Sequence, residues 1–170
     1  EIRHLKYFFL IFLTAFSEIN SKDIWYEKNL KDLEDISLEL NVVGIKDDVW
    51  ESRLYNFLEL RILEEYIVII KKQIPTLIIY INIIDSRVEK TSSFFVGLSL
   101  YSYSISEKMY YKSIADTLIT KKLMTSKFFS NEIMGQSSSN NLYRDVEKSI
   151  NRLVSNFIDQ WYQDNPLKQF

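Results

Sequence analysis

The sequence predicts an α+β fold. A mainly antiparallel sheet of four to five strands carries two long amphipathic helices on one face, forming a two-layer sandwich. Three observations lead there. Residues 36–42 alternate apolar and polar side chains with period 2, the pattern of a half-buried strand. Near the C-terminus, apolar residues recur every three to four positions over twenty residues, as on the buried stripe of a surface helix. Between the two helical stretches lies a run of Ile-, Phe- and Tyr-rich segments. Strands and helices grouped in this way belong to α+β layering.

Residues 1–17 read as an address label. Arg3, His4 and Lys6 form a basic flank, YFFLIFLTAF (residues 7–16) is uncharged, and Ala15 and Ser17 are small residues two apart. That is the architecture of a secretory signal peptide, with the cut between Ser17 and Glu18. A membrane span needs about 20 apolar residues, twice this run. A surface helix needs a polar side, which residues 8–13 lack. Retention as a short anchor and burial as a first core element are the competing readings. The expected folded unit is a single domain over residues 18–170, in the periplasm or secreted.

Residues 18–30 form a polar arm with one aromatic pair, Trp25 and Tyr26. The first strand places Ile36, Leu38, Leu40 and Val42 on one face and Ser37, Glu39 and Asn41 on the other, and Gly44 ends it. Asp47 and Asp48 suit a helix N-terminus, where carboxylates meet the positive end of the helix dipole. Trp50, Leu54, Phe57, Leu58 and Ile62 then share a stripe, opposite Ser52, Asn56 and Glu59. IVII (67–70) and TLIIYINII (76–84) read as strands separated by a turn at Pro75. SFFVGLSLYSYS (93–104) is a further strand.

Residues 108–124 carry two signals. Tyr111, Ile114, Ala115, Leu118, Ile119 and Leu123 match a helical stripe, while Thr117, Ile119 and Thr120 favour a strand. A hairpin partner for the preceding strand is expected here, so strand is the preferred reading, with Lys121 and Lys122 guarding an open edge. MGQSSSNN (134–141) has loop composition. In the C-terminal helix Leu142, Val146, Ile150, Leu153, Phe157 and Trp161 face one way. Asp145, Lys148, Arg152 and Asp159 face the other, and Asn165-Pro166 stops the helix.

Composition removes several chemistries. There is no Cys, and the single His, His4, lies in the leader. Zinc sites built on those residues are excluded, as are Cys-His and Ser-His-Asp nucleophile systems. Three glycines, Gly44, Gly97 and Gly135, cannot make a phosphate-cradling G-x-G-x-x-G. No Ser precedes a Lys by three positions, so S-x-x-K is absent. Removing Glu1, Arg3 and Lys6 with the leader leaves 19 basic and 22 acidic residues, which disfavours a nucleic-acid partner. The acidic pairs Glu34/Asp35, Asp47/Asp48 and Glu64/Glu65 are the remaining catalytic candidates, for a carboxylate-dependent hydrolase. They fall at element ends, where caps and solvated charges are common. No cofactor is expected.

Alternation gives the sheet a second face. With Leu77, Ile79, Ile81, Ile83, Val96, Leu98 and Leu100 turned toward the helices, Ile78, Tyr80 and Ile84 point away. So do Phe95, Tyr101 and Tyr103, with the small residues Gly97 and Ser99 between them. Tyr80, Phe95, Gly97, Tyr101 and Tyr103 are therefore the candidate binding residues, a low floor between aromatic walls for an apolar ligand or a partner. Cover by the arm at Trp25 and Tyr26, or by a helix, is the competing reading.

The leader, the alternating FVGLSLYSYS strand and the closing helix VEKSINRLVSNFIDQWYQDNP together resemble small exported envelope proteins. The family they resemble is the lipopolysaccharide-assembly lipoprotein that plugs the outer-membrane transport barrel. The resemblance spans residues 36–166 and lies in the order of element types. That family carries a lipidated Cys after its leader, where this chain has Ser17-Glu18. The resemblance implies a non-enzymatic envelope protein that binds a protein partner or a lipid-like ligand.

Overall fold

The computed structural model describes residues 28–71, 74–86, 90–105 and 123–169. The predicted leader, the arm residues Trp25 and Tyr26, and nearly all of the ambiguous segment 108–124 lie outside these residues. Five strands and two helices follow in the order β1 (Asp35–Val43), α1 (Asp48–Leu63), β2 (Val68–Ile69), β3 (Thr76–Ser86), β4 (Thr91–Ser104), β5 (Met124–Ser138) and α2 (Leu142–Asp164). A 3-10 turn at Pro166–Gln169 follows α2.

The strands form one sheet in the order β2-β1-β3-β4-β5. β1 runs parallel to β2 and to β3, while β3–β4 and β4–β5 are antiparallel. The antiparallel pairings are the longer ones, so the predicted α+β sheet is present in mixed form. Sequence explains the mixture. The excursion from β1 through α1 is long enough to bring the chain back parallel, as a tight hairpin is not. Gly44 closes β1 with φ +98°, and any Cβ there would overlap the carbonyl of Ile83. Only glycine fits that approach.

Both helices pack on the same side of the sheet. Trp50, Leu54, Leu58 and Ile62 from α1 share one cluster with Leu142, Val146, Ile150, Leu153, Val154, Phe157, Ile158 and Trp161 from α2. The sheet contributes Leu77, Ile79, Ile81, Ile83, Val96, Leu98 and Leu100, all buried. α1 begins where predicted: the Asp47 side chain accepts the N–H of Trp50 at 3.0 Å, satisfying one orphan donor of the first turn. Phe57 corrects the predicted stripe. It is 42% exposed, because the buried line runs strictly through every fourth residue and Phe57 falls on its flank. Val49, Leu60 and Leu63 are exposed as well, so α1 is apolar on both sides.

The C-terminus locks the start of the described chain. Asp164 accepts the N–H groups of Lys28 (3.2 Å) and Leu30 (2.8 Å). Asn165 accepts the N–H of Asp32 and donates to the carbonyls of Leu30 and Trp161. The Trp161 indole donates to the Leu33 carbonyl. Lys28 and Asp32 have positive φ, and these bonds hold the turn they define.

Two further expectations are corrected. Residues 134–138, predicted as loop, are the end of β5, and only residues 139–141 make the turn into α2. The hairpin partner of β4, predicted in 108–124, is β5, which overlaps that range only at Met124.

Candidate functional site

The register places the residues of the second face in rows. Val43, Asn82, Phe95 and Met134 form one row, followed by Asn41, Tyr80, Gly97 and Glu132. Glu39, Ile78, Ser99 and Ser130 come next, then Ser37, Thr76, Tyr101 and Lys127. Tyr103 pairs with Thr125 beyond a register shift at Leu100/Tyr101. Neither helix packs on this face, so among the described residues it is the uncovered side of the sheet. Tyr80 is 38% exposed, Tyr103 54% and Met134 81%. Ile84 is exposed too, while Phe95 and Tyr101 are half-buried.

All five predicted residues therefore lie on one face, but they do not enclose a cleft. Gly97 is buried. Phe95, two residues back on the same strand, leans over it, so that a Cβ on Gly97 would meet the Phe95 ring at 3.2 Å. Tyr80 stands directly across on β3, with its ring centroid 6.2 Å from that of Phe95 at a tilt of 59°. An aromatic ring thus fills the floor that sequence alone left open. Tyr101 stands two rungs further along β4, with the Lys127 ammonium 5.8 Å from its ring centroid, within cation–π range. Ser99 and Ser130 hydroxyls bond across the β4–β5 pair at 3.2 Å. The result is a flat surface, aromatic and apolar at Tyr80, Phe95, Ile84 and Met134 and polar along the Ser99–Ser130 row.

At least one member of each acidic pair makes contacts within the fold. Asp47 caps α1 and accepts the Tyr143 hydroxyl at 3.1 Å. Burial and this bond together hold the Tyr143 phenol above its ordinary pKa. Glu64 and Glu65 both receive Arg61, and Glu65 also accepts the Tyr162 hydroxyl at 2.6 Å, which raises that phenol. Glu34 pairs with Lys168 at 3.0 Å. Among the described residues no group of three or more His, Cys, Asp or Glu is placed to hold a metal ion, and no helix is long and apolar enough to cross a membrane.

Sequence reasoning missed two surfaces. One is the outer stripe of α1. The other is the notch beside β1 where β2 stops after two residues, bounded by Ser37, Glu39, Tyr55, Glu59, Ile69 and Lys71. The brevity of β2 could have been suspected from KKQIP, which begins one residue after it. No protein-family model, curated protein or solved structure matches the chain.

Proposed function

We propose that this domain is an exported, non-enzymatic binding protein of the cell envelope that engages a partner protein through the uncovered face of its sheet. The observation that carries the reading is the face itself. Tyr80, Ile84, Tyr103 and Met134 stand exposed on the face of the five-stranded sheet opposite the two helices. Exposed apolar side chains clustered as Tyr80, Ile84 and Met134 are around Phe95 mark interaction sites. A protein partner fits better than a small apolar ligand, because small-molecule sites are concave and Phe95 fills the Gly97 floor. Aromatic residues interleaved with polar ones are also the composition of protein interfaces.

Export rests on the basic flank, the ten-residue apolar run and Ala15-x-Ser17. Protein recovered from its host should begin at Glu18 and fractionate outside the cytoplasm. A full-length cytoplasmic product sinks that half of the proposal.

The binding half is tested by a photo-crosslinking amino acid placed at Tyr80 or Tyr103, with Arg152 on the outer side of α2 as control. One discrete protein adduct is expected from both face positions and none from the control. The face is wrong if positions 80 and 103 give no adduct, or give the same adducts as position 152.

A further inference from the structure

The edge of β1 is unfinished. The Ser37 N–H donates to the Pro75 carbonyl at 2.8 Å, and the Ile70 N–H donates to the Ile36 carbonyl at 2.8 Å. Backbone groups of alternate residues point to opposite edges of a strand. Ser37, Glu39 and Asn41 therefore turn theirs toward β3, and Leu38, Leu40 and Val42 turn theirs toward the β2 side. β2 pairs only with Asp35 and Ile36. Beyond it, no described strand lies against β1. Among the described residues about 20 Å of edge is open from Leu38 to Val43, matching the length of a typical strand.

This edge is shaped as well as open. A groove of about 430 Å³ begins where β2 stops, lined by Leu38, Tyr55, Ile69 and Ile70, with Glu39 on one side and Glu59 on the other. Leu38, Leu40 and Val42 are only half-buried, so neighbouring apolar side chains would complete their cover. Glu59, Tyr55 and Glu51 follow one another at four-residue spacing along the flank of α1 and are half-buried. Among the described residues neither Glu51 nor Glu59 has an ion-pair partner. Among the described residues Lys71 is the one basic residue lining the groove.

The opposite edge of the sheet contrasts with it. β5 carries the register shift near Leu100/Tyr101, and its Phe128 carbonyl accepts the Asn29 side chain at 3.3 Å. A bulge and a cap of this kind are ways of blunting an edge. Among the described residues the β1 edge has neither.

We propose that the β1 edge is a strand-addition site. It takes an extended segment of a partner protein that alternates β-branched apolar residues with Lys or Arg, hydrogen-bonded to Leu38, Leu40 and Val42. Main-chain bonds supply affinity in this mode, and alternate side chains supply selectivity. Apolar side chains cover Leu38 and Leu40 on the helix side of the sheet, and basic ones on the opposite side meet Glu39. A second copy of this chain fits less well, because β1 carries no Lys or Arg to meet Glu39. The site is separate from the aromatic face and does not depend on it.

The probe is the capped peptide acetyl-Lys-Val-Lys-Val-Lys-Val-Lys-amide, added to the full domain. It should bind, protect the Leu38, Leu40 and Val42 amides from hydrogen exchange, and weaken with salt. Three N-methyl groups on alternate amides, in either of the two phases, remove the edge donors. In one phase they should weaken binding roughly tenfold or more. Replacing Lys by Glu in the peptide should weaken binding, and Glu39→Lys in the protein should restore binding of the Glu peptide. Tyr80→Ser should leave peptide binding unchanged, which separates this site from the sheet face. The proposal is overturned by absence of binding at millimolar peptide, by equal binding of the Lys and Glu peptides, or by indifference to both N-methyl phases. Amide protection on β5 instead of β1 overturns it equally.

Discussion

Asp164, at the last turn of α2, accepts the backbone N–H of Leu30 from 134 positions earlier in the chain, at 2.8 Å. The carboxylate is only 7% exposed and also accepts from Lys28 N–H and the Gln160 amide. A buried carboxylate stripped of such donors would be costly, and so would a buried N–H stripped of its acceptor. The pair therefore ties the entry of the chain into the domain to the end of its longest helix.

Asp164→Ala should lower stability by about 1.5–3 kcal/mol, the range for hydrogen bonds to a charged group. Urea unfolding measures it. Amide exchange at Lys28 and Leu30 should accelerate more than exchange in β3. A loss spread evenly over all amides would show that the lock has no local role.

Phe157 makes the central contact between α2 and the sheet. It is fully buried, and its ring meets that of Phe129 on β5 edge-on, with centroids 5.4 Å apart at 75°. Phe157→Ala should cost about 3–5 kcal/mol. That is a large part of the roughly 5–15 kcal/mol typical of a domain. An unfolding midpoint within error of the wild type would contradict this packing.

Much of this fold was legible where one face of an element is buried and the other is wet. β1 and α2 sit in such places, and every predicted apolar residue of the α2 stripe is buried. The signal failed where burial is asymmetric in other ways. β5 is an edge strand with Lys127, Asn131, Glu132 and Gln136 spread along it and Gly135 within it, so its period-2 pattern is broken and its end looks like a loop. α1 is apolar on both flanks, which made Phe57 look like core. Alternation placed the five residues of the aromatic face on one side correctly. It could not show that the Phe95 ring lies over Gly97, because that depends on a side-chain rotamer.

Gly97 and Gly135 should respond differently to the same substitution. At Gly135 a Cβ would overlap the ring of Phe94, its register partner, with Cε1 at 2.9 Å. Phe94 is itself buried, so its ring has little room to yield. Gly135→Ala should destabilise by about 1–3 kcal/mol through overpacking. At Gly97 the Phe95 ring lies at 3.2 Å on the uncovered face and needs to move only a few tenths of an ångström. Gly97→Ala should change stability by less than about 1 kcal/mol, since glycine has no intrinsic advantage within a strand. Unfolding curves for the two variants decide it. Equal losses would mean that the Phe95 ring is as confined as that of Phe94, and that the second face is covered after all.

The junction of β5 and α2 should weaken in acid. The Ser137 hydroxyl donates to the Asp145 carboxylate at 2.5 Å, one turn into α2. That bond, followed by the charges of Arg144 and Lys148, outweighs burial and lowers the Asp145 pKa. The position is favourable for a second reason, since a carboxylate in the first turn of a helix faces the positive end of the dipole. A carboxyl whose folded-state pKa is depressed adds stability that is complete above its unfolded-state pKa. The contribution is lost as pH falls through the folded-state value. Ser137→Ala removes the leading cause. The variant should be less stable than wild type at neutral pH, and the gap should narrow as pH drops through the carboxylate range, near 4 and below. Urea unfolding at several pH values follows the gap, and carboxyl NMR follows Asp145 itself, whose titration midpoint should move up in the variant. A midpoint that stays in place would assign the depression to Arg144, Lys148 and the helix dipole instead of the Ser137 hydroxyl.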